Sequence, residues 1–146
     1  MSMNVHAILG QKGSAVATVD QQASLADAAA KLRDHGVGAL VVSSDGAHID
    51  GILSERDVVR ALANHGAGAL GRPVSSAMTV DVRTCAEADT VDELMSLMTE
   101  RRIRHVPVVD DAGVLAGIVS IGDVVKARLG HLESENQALF DYIQGR

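Results

Sequence analysis

Aromatic side chains are nearly absent from this chain: one Phe, one Tyr and no Trp in 146 residues. The core must therefore be aliphatic, and the scarcity argues against RNA platforms that stack bases on several rings. Cysteine is down to one, Cys85, so there is no intrachain disulfide and no cysteine-based zinc site. That residue reads as a small buried hydrophobe. Positive charge is in deficit, with 13 Lys and Arg against 19 Asp and Glu and a formal net charge of −6. Such a balance argues against a nucleic-acid partner held through phosphates. No apolar run approaches the ~18 residues of a membrane span, and no basic segment leads into an apolar run as in a signal peptide. The expectation is a soluble cytoplasmic protein without a membrane partner. A hydrophobic fraction of 47% still permits a sizeable core. The length suits one compact unit, or two small ones sharing a core.

What the sequence does contain is a repeat. "GILSERDVVR" (51–60) returns as "GIVSIGDVVK" (117–126), an offset of 66. The same offset, without a gap, pairs Val16 with Val82, Ser24 with Thr90, Val42 with Val108 and Asp57 with Asp123. Self-similarity at a fixed period marks a duplicated supersecondary unit. In each copy an extended piece (15–19; 81–85) precedes a helix capped by Ser24 or Thr90, about 24–36 and 90–102. A short β-branched run then reads as a strand, a polar turn follows, and a second strand leads into a helix from 55 or 121. The fold class is α/β (α+β): two β-α-β-β-α units packed as one domain with a pseudo-two-fold axis, plus a C-terminal helix. The expected boundaries are 1–64 for copy one with its N-terminal segment, 65–73 for a linker, 74–130 for copy two and 131–146 for the tail. "GAGALG" (66–71) matches G-x-G-x-x-G, yet it follows a helix and runs into Arg72-Pro73. A dinucleotide fingerprint follows a strand and opens a helix, so the segment reads as a flexible linker.

The doubled G-I-x-S-x-x-D, "RIRHVPVVDDAGVLAGIVS" in copy two and "VSSAMT" (74–79) before it carry a family signature. The chain resembles a tandem pair of CBS (cystathionine-β-synthase) domains, the regulatory unit called a Bateman module, over roughly residues 3–130. The resemblance implies a free-standing, non-catalytic sensor of an adenosine ligand: AMP first, then ADP or ATP, with NAD or S-adenosylmethionine as alternatives. It also implies dimerisation and an effector protein whose identity the sequence leaves unknown.

The motif has chemistry of its own. A carboxylate can accept hydrogen bonds from both hydroxyls of a ribose, which makes Asp57 and Asp123 candidates. A helix N-terminus with a Ser at its cap offers donors to a phosphate, which singles out Ser54 and Ser120. S-x-x-D is equally a capping box, in which both side chains serve the helix alone. The copies differ at Arg104-His105, which align with Gly38-Ala39. In the family, one cleft takes its acid and its basic pair from one copy and its base-binding wall from the other. Carried over, a stronger site comprises Ser120, Asp123, Arg104 and His105, with Ala17, Val37 and Ala39 around the adenine. Copy one has three extra residues around "QKGS" (11–14), where Lys12 is placed to reach a phosphate. A weaker site comprises Ser54 and Asp57 with Gly38, Arg83 and Ile103. Arg101 and Arg102 read as a solvated helix end answering the macrodipole.

No nucleophile–base pair and no metal-ligand spacing is visible, so an enzyme acting on a nucleotide is the least favoured reading. In the tail, Leu129, Leu132, Asn136, Leu139 and Ile143 fall at heptad a and d positions. Two heptads are too few to associate alone. The tail is expected to pack at a homodimer interface, with packing on its own module as the alternative. A ligand-free dimeric interaction scaffold, its S-x-x-D motifs serving only as caps, is the rival to the sensor.

Overall fold

The computed structural model describes residues 3–145. An N-terminal helix α1 (Val5–Lys12) comes first. Copy one follows as β1 (Thr18–Val19), α2 (Leu25–His35), β2 (Ala39–Val42), β3 (Gly51–Ser54) and α3 (Glu55–His65). Two 3₁₀ turns, Gly66–Gly71 and Val74–Ser76, lead to copy two, with α4 (Val91–Arg101), β4 (His105–Val109), β5 (Leu115–Ser120) and α5 (Ile121–Ile143).

The expected caps are present. Ser24 Oγ accepts from the Asp27 N–H at 3.1 Å, and Thr90 Oγ1 accepts from the Glu93 N–H at 3.1 Å. These bonds satisfy donors that a helix start would otherwise leave orphaned. Copy one forms a three-stranded sheet in the order β1-β2-β3, with β1 parallel and β3 antiparallel to β2. Its central strand is buried at every residue from Ala39 to Val42. Copy two forms the matching β4-β5 hairpin. Its first strand, expected over 81–85, is reduced to a parallel bridge between Cys85 and Val108. Cys85 lies in the core, as its aliphatic surroundings require, and burial pushes its thiol up to about 12.

There are two aliphatic cores, and each borrows from the other copy's leading segment. Val5, Ile8 and Leu9 of α1 pack with Val91, Leu94, Met98 and Val119 of copy two. Val74, Ala77 and Met78, which lead copy two, pack instead with Leu25, Leu40 and Leu53 of copy one. The contact points are the glycines of the doubled motif. A Cβ on Gly117 would meet Leu9 Cδ2 at 2.8 Å, and one on Gly51 would meet Met78 Sδ and the Thr79 carbonyl oxygen at 2.9 Å. Leu9 and Met78 are 69 residues apart, three more than the repeat offset of 66, so the three extra residues lie between α1 and β1.

The segment expected as a flexible linker is ordered. Ala69 and Val74 are fully buried, the Leu25 N–H donates to the Arg72 carbonyl, and the Val74 N–H donates to the Ala23 carbonyl. Small residues let this stretch lie close against α2 and α3, and burial of Ala69 and Val74 holds it there. The tail continues α5 without a break at residue 130, as one 23-residue helix. Leu129, Leu132, Leu139 and Ile143 are exposed on it, so the tail does not pack on its own module. Among the described residues no helix is long and apolar enough to cross a membrane.

The crowding at Gly51 is against backbone, which cannot swing aside, whereas at Gly117 it is against the end of a Leu side chain. Gly51→Ala should therefore destabilise the protein by about 1–3 kcal/mol in urea titration, and Gly117→Ala by less.

Candidate functional site

Both S-x-x-D motifs form complete capping boxes. In copy one the Ser54 N–H donates to Asp57 Oδ2 at 2.9 Å, and the Asp57 N–H donates to Ser54 Oγ at 3.2 Å. In copy two the Ser120 N–H donates to Asp123 Oδ2 at 2.8 Å, with the return bond at 3.2 Å. The bland reading of the motif is therefore correct as far as it goes. It uses one carboxylate oxygen in each copy. Among the described residues the second oxygen of the buried Asp57 accepts no hydrogen bond, and the Arg60 guanidinium lies 3.8 Å from it.

The surroundings of the two boxes differ. Asp57 lies in a cavity of about 340 Å³ between the copies. Copy one contributes Gly38, Ser54 and Asp57, and copy two contributes Arg83, Ile103, Arg104 and His105. All five residues of the expected weaker set thus line one cavity, joined by the Arg104-His105 pair expected in the stronger set. Thr79, from the leading segment seated on β3, closes one side.

Asp123 faces a different neighbour. Lys12, at the end of α1, donates to Asp123 Oδ2 at 2.7 Å and to the Ile118 carbonyl at 2.9 Å. Lys12, Ser120 and Asp123 are brought together as expected, with the lysine on the acid. Ala17 and Ala39 serve the copy-one sheet: the Ala17 carbonyl accepts from the Val41 N–H, and Ala39 pairs with Ser54. Val37 is exposed and lines a shallower depression beside Gly38, Glu55 and Val58.

His105 stands at the seam. Its ring lies against Gly38 and Glu55, and its backbone pairs with Ser120. Burial pushes the imidazole pKa down, and Lys12 and Arg104 push the same way, against Glu55 and Asp123. The shift favours the neutral imidazole.

Some lining residues escaped the sequence reading. Arg56 and Arg60 belong to the motif's own helix, one turn apart, and their spacing was the available signal. Arg102 is exposed at the end of α4, as expected of a solvated helix end, and also lines the cavity. Its backbone is left-handed, φ 55 and ψ 43, where its twin in copy one is Gly36 at φ 62 and ψ 36. That exchange of Gly for Arg was visible in the repeat alignment. Among the described residues no cluster of three or more His, Cys, Asp or Glu is arranged to hold a metal ion.

Burial pushes the Asp123 carboxyl up, but the Lys12 ammonium and the Ser120 N–H outweigh it and the net shift is downward. A lowered pKa means that this contribution to stability is complete above the ordinary carboxylate range. It is lost as pH falls below that range and through the folded pKa. Lys12→Met, which keeps the aliphatic stem, should cost about 1 kcal/mol at pH 7. In denaturation measured across pH, the gap from wild type should close as Asp123 protonates.

The geometry has counterparts. The family model of the CBS domain matches residues 13–64 and 74–130. The CBS domain-containing protein CBSX3, mitochondrial, of Arabidopsis thaliana is 41% identical over 123 residues, covering 82% of this chain and 59% of the plant protein. This chain thus spans about three fifths of that relative's length. A crystal structure of a CBS-domain containing protein from Agrobacterium tumefaciens superposes with TM-score 0.83 at 49% identity, covering 88% of this chain and 95% of that one. A CBS domain pair solved in complex with 5′-methylthioadenosine and S-adenosyl-L-methionine superposes with TM-score 0.80 at 27% identity, covering 90% and 99%. A CBS domain protein from Pyrobaculum aerophilum complexed with AMP does so with TM-score 0.73 at 27% identity, covering 83% and 89%.

Proposed function

Since this chain belongs to the CBS-domain family, we propose that it is a cytoplasmic regulatory module that binds an adenine nucleotide between its two copies and signals to a protein partner. The observation that carries the reading is the cavity at Asp57. Its capping box uses Oδ2 and leaves Oδ1 for a ribose hydroxyl, while cationic groups from both copies surround the same space. The related structures with AMP and with S-adenosylmethionine and methylthioadenosine support an adenosine moiety as the shared element of the ligand.

In this reading Asp57 holds the ribose, and Gly38 and Ile103 border the base. Arg83, Arg104 and His105 meet the phosphate, with His105 taking up a proton as the anion binds. The cleft at Asp123 is the less available of the two, because a ligand there must replace the Lys12 bond. Ligand binding bridges the copies and so alters their mutual packing, which is how a partner protein would sense it.

Adenine nucleotides should raise the melting temperature by an amount that grows with concentration, as linkage requires. Asp57→Ala should abolish that rise while costing about 1 kcal/mol without ligand through loss of the cap. If no adenine compound stabilises the protein and Asp57→Ala shows only the cap cost, the interaction-scaffold reading takes its place.

The exposed stripe on α5 supports a homodimer in which the two tails meet, with Asn136 setting their register. Light scattering should give twice the chain mass for the wild type, and half that value for Leu132→Glu/Leu139→Glu.

A further inference from the structure

The Asp57 cavity holds more positive charge than a single phosphate would use. Five arginines line it (Arg56, Arg60, Arg83, Arg102 and Arg104) against three acids, Glu55, Asp57 and Asp81. The excess is local, since the chain as a whole carries −6. Two of the five are engaged: Arg83 lies 3.4 Å from Asp81, and Arg60 lies 3.8 Å from Asp57. Among the described residues, Arg56, Arg102 and Arg104 have no carboxylate in ion-pair reach. They are exposed at the rim, while Asp57 is buried at the floor.

Like charges gathered at one mouth repel until an anion joins them. A phosphate monoester carries at most about two negative charges and three acceptor oxygens. One bidentate guanidinium and one further donor largely satisfy it. A monophosphate anchored by its ribose at the floor would leave rim arginines unanswered. A longer phosphate chain would follow the charge outward.

Arg102 adds an independent observation. Its left-handed backbone favours glycine, and the first copy has Gly36 at the equivalent turn. An arginine held in a strained conformation beside a cavity is the pattern of a ligand clamp, in which side-chain chemistry outweighs backbone comfort.

We propose that the Asp57 cavity is built for a nucleotide with two or more phosphates, and that Arg102 is the residue that reads the phosphates beyond the first. The inference rests on the cavity being an adenosine-ligand site, and it moves the preferred ligand from AMP to ADP or ATP.

The test is calorimetric titration of the full chain with adenosine, AMP, ADP, ATP and inorganic tripolyphosphate, without divalent cations. ADP or ATP should bind at least about tenfold more tightly than AMP, the scale of one added charge-assisted contact. Arg102→Gly relieves the backbone, so its urea midpoint should rise and the fold is secure. Its ATP-to-AMP affinity ratio should fall to within about threefold, with AMP binding nearly unchanged. Arg101→Gln, at the same helix end but away from the cavity, should keep the wild-type ratio. Equal binding of AMP and ATP by the wild type would overturn the inference and leave the adenosine reading standing. An unchanged ratio in Arg102→Gly would overturn the role of that residue. Tripolyphosphate binding that depends on Arg102, without binding of adenosine or AMP, would sink the adenosine reading and keep the phosphate one. Absence of binding by all five overturns both.

Discussion

The seating of each copy's leading segment on the other copy's last strand, over a bare glycine, is the contact on which this molecule turns. Gly117 lets Leu9 approach β5, and Gly51 lets Met78 and the Thr79 backbone approach β3. Through these contacts, apolar residues of α1 enter the core of copy two, and residues 74–78 enter the core of copy one. Neither copy buries its sheet without a piece of the other, so the duplicated halves form one unit rather than two beads. The hydrophobic area removed from water at these seams drives the exchange, and the absence of a Cβ at the two glycines permits it.

The asymmetry of the two clefts follows from that exchange. The segment that arrives at β5 is a helix of eight residues ending in Lys12, which finds Asp123. The segment that arrives at β3 is a short 3₁₀ turn running on to Thr79, which leaves Asp57 at the floor of a cavity. Identical capping boxes thus sit in opposite electrostatic settings. One carboxylate is neutralised within the chain. The other shares a cavity with five arginines and a histidine whose pKa burial lowers. The electrostatic difference between the copies lies in what is delivered to the motif, while the motif itself is the same.

Much of this was legible before folding. The offset of 66 disclosed the duplication, Ser24 and Thr90 were recognisable as caps, and Cys85 was recognisable as a core residue. Such features are local: a cap needs only its own first turn, and an apolar period needs only its own helix. The order of residues 66–74 was not legible, because Gly and Ala carry no signal of their own until a neighbouring helix accepts them. Arg102 escaped for a related reason. A cation at a helix end has an adequate local explanation in the macrodipole, and only the cavity supplies a second one.

By itself, the sequence determined the repeated unit, the capped helices, the aliphatic cores and the two carboxylates that could face a ligand. The caps and the carboxylates depend on residues within one turn of each other, the repeat on comparison along the chain, and the aliphatic character of the cores on composition. Tertiary structure alone decided which carboxylate is answered by Lys12 and which by arginines. It also lined the Asp57 cavity with Arg104 and His105, the pair that the family resemblance grouped with Ser120 and Asp123. Contacts between residues 12 and 123, or 57 and 105, depend on how two sheets and two borrowed segments close upon each other. No spacing along the chain encodes that closure, because it is set by the shapes that meet at Gly51 and Gly117.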